Sequence, residues 1–297
     1  MAMYEKKYVQ LKKEKLAYIE VGSGDTTIVL IHGNFTSSFS LYPFFERCPK
    51  NARMIAFDLR GFGDSSYNNR FNTIDELAED VMEACLTLDL KNIHLVGWSL
   101  GGAVCLKIAA EFAYFVESMS LIQSASYRGY PVFQKDSKYR DIYGLVYPSK
   151  ESLALDPILV LPLLQAYEQK DRAFLDSIKM ASTWSKNRPS KEICDIYIDE
   201  QLKQRNLVDA DWALANFNMS NFSNLYNLGT NDIGKITCRV FVTNATADVV
   251  VTPGMTAENV SVLKNATVKV YENEGHQVLF DRPDEVTGDI FKFIGLL

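Results

Sequence analysis

The sequence predicts an α/β protein, a mostly parallel, doubly wound sheet with one helical segment inserted into it. Three observations carry this. Short apolar runs alternate with helical patterns from Thr27 to Ile122, and the same rhythm resumes near Thr237. The run Thr27-Ile-Val-Leu-Ile31 is unbroken and β-branched, the mark of a strand buried on both faces of a parallel sheet. Between about Ser124 and Thr237 the rhythm stops, and Tyr, Leu, Trp and Phe dominate.

The elements follow in order. Tyr8 to Leu11 and Leu16 to Val21 read as two strands joined by a Lys-rich turn, with Lys6, Lys7, Lys12, Lys13 and Lys15 as a solvated hairpin face. The buried run ends in His32-Gly33-Asn34-Phe35, and a loop with a helix leads to the strand Met54 to Phe57. Thr73-Ile-Asp-Glu76 is a capping box that opens a helix with Leu77, Val81, Ala84 and Leu88 on its apolar face. Next comes the strand Ile93 to Val96, a break at Gly97, an Ala-rich helix after Ser99, and a strand from Met119 to Ile122.

The core is therefore expected as residues 1–124 and 231–297, with 125–230 as a helical lid over the carboxyl edge of the sheet. No low-complexity linker flanks the insertion, so it is expected to pack on the core. Its aromatics Tyr127, Tyr130, Phe133, Tyr143, Trp184, Trp212 and Phe217 are expected to form its own core, with a minority facing the space above Ser99. Beyond it, Arg239 to Thr243 and Thr267 to Tyr271 read as strands. Pro253 starts a helix between them, and an amphipathic helix closes the chain from about Pro283 to Ile294.

Composition narrows the function classes. At 297 residues the chain is long enough to bury a sizeable core. A net charge of −6 argues against nucleic acid as a partner, because phosphate binding needs a basic face. The start of the chain lacks the apolar core of a signal peptide, and the longest apolar run, Ile158 to Leu164, is short and broken by Pro162, so no transmembrane segment is expected. The five scattered cysteines suit a reducing, cytoplasmic setting, and no pair has the spacing of a metal site.

The turn at Ser99 carries the chemistry. In Gly97-Trp-Ser-Leu-Gly-Gly102 a strand meets a helix at a serine, and glycines stand where side chains would collide. A serine hydroxyl needs a base to become a nucleophile, and this chain has three histidines. His94 lies mid-strand and reads as a core residue, and His32 starts a loop and reads as its brace. His276 follows the last strand on a loop at the same edge as Ser99 and is the expected base. The base needs an orienting carboxylate, and Asp248 ends a strand at that edge. Its competing role is N-cap of the helix near Pro253. The other position for an acid, after Ile122, holds Gln123, Ser124 and Ser126, none of them acidic. An oxyanion would take the Leu100 N–H and a second one from the turn after Gly33, with Asn34 preferred over Phe35.

With these residues in hand, the chain resembles α/β-hydrolase fold enzymes. The order Ser99, Asp248, His276 is that fold's order. His32-Gly33, Asp58-Leu-Arg-Gly-Phe-Gly-Asp-Ser65, the Ser99 box, Ala245-Thr-Ala-Asp248 and Gly275-His276 match its blocks, with Ala245 where glycine is usual. The loop His32 to Ser38 is similar to that of haloalkane dehalogenases, but those attack with aspartate and follow it with Trp. Here the nucleophile is Ser99, Leu100 follows and Trp98 precedes.

The resemblance implies a cofactor-free serine hydrolase, without a metal, acting on a small-molecule or oligomeric carboxylic ester or lactone, with Phe35 and Trp98 against the substrate. The core blocks look like those of enol-lactonases and, more loosely, of intracellular polyhydroxybutyrate depolymerases. Carbon–carbon bond hydrolysis and a hydrolase-like ligand receptor are the alternatives. The aromatic insertion favours an apolar acyl group. A doubly charged lactone would call on the arginines Arg128, Arg140, Arg172, Arg188 and Arg205, which read instead as solvated surface.

Overall fold

The computed structural model describes residues 4–184 and 186–297. These residues build ten strands, β1 Lys6–Gln10, β2 Lys15–Gly22, β3 Thr26–Ile31, β4 Ala52–Phe57, β5 Ile93–Trp98, β6 Val116–Ile122, β7 Phe133–Lys135, β8 Asp141–Val146, β9 Arg239–Ala245 and β10 Ala266–Tyr271. Eight of them form one sheet in the order β1-β2-β4-β3-β5-β6-β9-β10. The pairs β1–β2 and β2–β4 are antiparallel and the others are parallel. The central parallel strand β3 is buried: Ile28, Val29, Leu30 and Ile31 are fully enclosed, because helices cover both faces.

Helices α1 Tyr42–Phe45, α2 Ile74–Thr87, α3 Leu100–Glu111, α4 Lys150–Leu153, α5 Leu161–Gln169, α6 Arg172–Ser182, α7 Lys191–Leu202, α8 Leu207–Asn216, α9 Pro253–Val262, α10 Val278–Asp281 and α11 Pro283–Ile294 complete the chain. The apolar faces of α2 and α3 pack on one side of the sheet with Val29, Ile31, Ile55 and Leu95. Helix α11 sets Val286, Ile290, Phe291 and Ile294 on the other side, with Phe44, Phe45 and Val96. Helix α2 starts where the sequence places it. Thr73 accepts the Glu76 N–H, and the Glu76 carboxylate returns the bond to the Thr73 N–H.

Between β6 and β9 the chain makes the two-stranded β7–β8 ribbon as well as helices α4 to α8. The ribbon is an element that the expectation of a mainly helical segment did not include. Tyr139, Ile142, Tyr143 and Leu145 on and beside it are exposed, so no buried apolar stripe announces it. The seven aromatics also divide differently from the expectation. Trp184 is buried with Phe39 and Tyr197 in the core of the α11 face, and Phe217, Tyr127 and Tyr130 join the α2–α3 face. Trp212 packs on the segment's own cluster around Leu163, Leu175 and Ile198, while Tyr143 is 82% exposed and stacks edge-on against Phe133. A segment of this size covers its helices by sharing cores with the sheet rather than by building one alone.

The lysine face needs a similar correction. Lys7 pairs with Glu20 at the surface, but Lys6 turns in and pairs with Asp58, Asp64 and Glu200. Its ammonium stands among the three carboxylates, which otherwise could hold a cation.

Removing the cap of α2 tests this local logic. Thr73→Ala should lower unfolding stability by about 1 kcal/mol, read as a lower denaturant midpoint at unchanged slope.

Candidate active site

In the parallel part of the sheet every strand ends at one edge, and the registers Ile31↔Gly97, Gly97↔Leu121, Ile122↔Thr243 and Ala245↔Tyr271 align those ends. His32, Ser99, Asp248 and His276 all lie just past these ends. Ser99 takes φ 55° and ψ −118°, a conformation that costs on the order of 1–3 kcal/mol for a residue with a side chain. The turn is held from both sides. The Ser99 N–H donates to the Ile122 carbonyl at 3.0 Å, and its carbonyl accepts from Gly102 at 2.9 Å and Ala125 at 3.2 Å. A Cβ on Gly97 would stand 2.4 Å from the Gly101 carbonyl oxygen, and one on Gly101 would stand 2.2 Å from that of Ile31. Ser99 occupies the N-cap position of α3, yet its hydroxyl makes no capping bond. That leaves it available at the positive end of the helix.

The His276 Nδ1–H donates to Asp248 Oδ2 at 2.8 Å, with both residues buried. The other carboxylate oxygen, Oδ1, accepts the N–H groups of Val250 and Val251 at 2.8 and 2.9 Å. The carboxylate is therefore clamped with one oxygen aimed at the imidazole. The N-cap of α9 is Thr252, not Asp248, which removes the competing role for that aspartate. Trp98 braces the same loop: its indole N–H donates to the His276 carbonyl at 3.2 Å, and the two rings lie 5.5 Å apart.

The turn after β3 comes close to the serine. A Cβ on Gly33 would sit 3.1 Å from Ser99 Cβ. His32 pins the turn from beneath as a buried neutral ring. Its Nδ1–H donates to the Gly33 carbonyl at 2.7 Å, and its Nε2 accepts the Leu59 N–H at 3.1 Å. Burial lowers its pKa to about 4. The Asn34 side chain ties the outside: Nδ2 donates to Asp211 Oδ1 at 2.8 Å, and Oδ1 accepts from the Phe35 N–H at 3.0 Å and Gln204 Nε2 at 2.9 Å. Phe35, at φ 58°, thus spends its N–H inside the turn.

Above these groups lies a cavity of about 400 Å³ lined by Asn34, Phe35, Trp98, Ser99, Leu100 and His276 on the sheet side. Its far walls are Val132, Ile158, Leu159, Leu163 and Ile178 from the inserted segment, and Val249 to Val251. The site thus joins a strained serine, an imidazole–carboxylate pair, a turn of backbone donors and an apolar chamber. Residues 28–289 match the alpha/beta hydrolase family. The chain belongs to that family.

Relatives agree with this membership over different lengths. The (E)-2-((N-methylformamido)methylene)succinate hydrolase of Acinetobacter baylyi is 24% identical over 288 residues, 94% of each chain. The dihydrolipoyllysine-residue acetyltransferase component of the acetoin cleaving system of Pseudomonas putida is 39% identical over 105 residues, which are 35% of this chain and only 28% of that relative. An enol-lactonase from Burkholderia xenovorans superposes with a TM-score of 0.75 at 17% identity, over 97% of this chain and 100% of the other. That last likeness is one of fold.

In this α/β hydrolase Asn34, Phe35, Trp98, Ser99, Leu100 and His276 line one cavity, Asp248 is bonded to His276 without lining it, and the five arginines do not line it. Arg140, Arg172 and Arg188 pair with acids of their own segment, Arg128 lies beside Glu258, and Arg205 donates to the Ser65 carbonyl. His94 is only partly buried and its Nδ1 bonds Ser118 Oγ at 2.8 Å, so the strand holds it with a polar partner. The Asp58 block is structural. Asp58 accepts the N–H groups of Ser38 and Asp64, each at 2.9 Å, and Arg60 grips Asp80.

Two cavity groups escape a reading of the sequence, Lys179 and Asp211, while Tyr130 is one of the aromatics of which a minority is expected above Ser99. Lys179 and Asp211 look like ordinary polar positions of amphipathic helices. Asp211 is partly accessible through the cavity but deep among protein atoms, which raises its pKa to about 7.

His32 makes the turn sensitive to acid. Its folded pKa of about 4 lies below the ordinary 6.5, so below that ordinary value the unfolded chain takes up a proton that the native ring refuses. This contribution is intact above pH 6.5 and is lost as the pH falls towards 4, by about 3 kcal/mol at most. His32→Asn should flatten the stability–pH curve across that window in urea titrations. An unchanged slope would show that the imidazole is not the group responsible.

Proposed function

We propose that this α/β hydrolase is a serine esterase or lactonase that works through an acyl-enzyme, with Ser99 as nucleophile, His276 as base and Asp248 as the orienting carboxylate. The observation that carries it is Ser99 held at positive φ in the cavity that His276 also lines, with the far nitrogen of that imidazole clamped by Asp248.

The chemistry follows from the groups present. Ser99 Oγ adds to the acyl carbon as its proton passes to His276 Nε2, and the carbonyl oxygen becomes an oxyanion. The Leu100 N–H, first in α3 and without an intrahelical acceptor, and the Asn34 N–H receive that charge. The Phe35 N–H, bonded to Asn34 Oδ1, is the weaker choice for the second donor. Collapse of the intermediate breaks the bond to the leaving oxygen, which takes the proton from His276. Water then adds to the acyl-enzyme with His276 as base, and the acid leaves as Ser99 regains its proton. Asp248 orients and stabilises the imidazolium.

Residues 125–230 serve as the lid of this site and contribute most of its apolar wall, with Phe35 and Trp98 against the substrate. The Acinetobacter relative is a hydrolase over nearly the whole matched length, which supports hydrolysis over ligand sensing. No helix among the described residues is long and apolar enough to cross a membrane. Five free cysteines fit a reducing compartment such as the cytoplasm.

Ser99→Ala should lower kcat on 4-nitrophenyl esters by about 10⁴–10⁶-fold with an unchanged circular dichroism spectrum, and Asp248→Asn by about 10⁴-fold. Turnover at the wild-type rate in the Ser99 variant would overturn the assignment, and a single stoichiometric burst that then stalls in the wild type would favour a receptor.

A further inference from the structure

Helix α6 is amphipathic, with Ser177 and Met180 outward and two buried residues inward, Leu175 and Lys179. A lysine at the inward position is anomalous. Its side chain is 6% exposed and lines the cavity. Transfer of an ammonium into such a place costs several kcal/mol unless its charge and N–H donors are met.

They are met only in part. Nζ donates to the Phe35 carbonyl at 3.3 Å, and the rings of Trp184 and Tyr197 lie 5.6 and 5.7 Å away. Aromatic faces steady a cation but do not replace strong acceptors. An ammonium has three donors, so among the described residues two have no acceptor and no carboxylate pairs with it. The carboxylic acid that the inserted segment brings to this chamber, Asp211, is held towards its neutral form by burial and is bonded to Asn34. The remaining walls are mostly aliphatic and aromatic, with the uncharged polar side chains of Gln201 and Gln277 among them. A chamber with one underused cation, a damped acid and apolar walls complements a ligand with one negative charge on an apolar body.

We propose that Lys179 is the anion-recognising residue of this cavity, and that the substrate is an ester or lactone carrying a carboxylate a few bonds from the scissile carbonyl. The inference rests on the hydrolase reading above for the identity of the scissile bond. The position of the charge follows from the chain path. Phe35 adjoins Asn34, so Nζ lies no more than about 10 Å from the Asn34 N–H. The leaving oxygen must face His276 to take its proton, which leaves the acyl chain on the side of the oxyanion turn, towards Lys179. A half-ester of a short dicarboxylic acid spans the two sites.

The test compares 4-nitrophenyl hemiglutarate with 4-nitrophenyl valerate, which match in length and differ in one carboxylate. The wild type should favour the hemiglutarate in kcat/KM. Lys179→Met, which keeps the stem and removes the charge, should shrink that preference by about 10–100-fold, with the loss in KM. Lys179→Arg should keep the preference, which a purely structural role for the amine would not require. Binding of both esters to the Ser99→Ala protein by calorimetry separates the two readings. If the wild type cleaves both esters without charge preference, or if Lys179→Met changes both equally, the anion subsite is overturned and the hydrolase stands. If the wild type cleaves neither but the Ser99→Ala protein binds hemiglutarate in a Lys179-dependent way, the hydrolase reading fails and the subsite stands.

Discussion

The site depends on how closely three pieces of backbone approach one another at the edge of the sheet. Strand β5 turns into α3 so sharply that the Gly97 Cα faces the Gly101 carbonyl, and Gly101 in turn lies against the Ile31 carbonyl. Any side chain there would push the helix off the strands, and the helix N-terminus would lose its aim at Ser99. The strain stored in Ser99 is held by bonds to neighbours on β6 and α3 rather than by its own preference. Because the same contact brings Gly33 against Ser99, the serine and the turn after β3 share one geometry.

Around that contact, buried polar groups are arranged to hold loops instead of strands. His32 is satisfied at both ring nitrogens within its own turn and the start of the Asp58 block. Asn34 spends its whole amide on Asp211, Gln204 and the Phe35 N–H, so the turn is tied to α8 and to the end of α7. Asp248 accepts three bonds and has no freedom to rotate away from His276. Loops at a sheet edge lack the ladder that fixes strands, and fully satisfied side-chain networks supply the missing rigidity.

The inserted segment follows a different logic. Its helices complete the two faces of the sheet through Phe217 and Trp184, and only part of its apolar surface goes into a cluster of its own. Part of what it leaves uncovered faces the cavity, where Ile158, Leu159 and Ile178 are also partly open to solvent. In the proposed function, an apolar wall of this kind, with a buried amine at one point, separates cleavage from the choice of substrate: the sheet edge would carry the first and the insertion the second.

The sequence by itself determined the parallel sheet, the capping box of α2, the turn at Ser99 and the short choice of partners for it. Each of these is written in local pattern or in residue types too few to confuse, such as the three histidines. The β7–β8 ribbon was not legible, because both its faces are largely solvated and carry no alternation. Lys6, Lys179 and Asp211 were not legible for a related reason. A charged residue on a hairpin or an amphipathic helix reads as solvated, and only the tertiary fold decides that it is desolvated and which partners it meets. Desolvation is a property of everything packed around a group, and so the charge that distinguishes this cavity belongs to the folded chain rather than to any stretch of it.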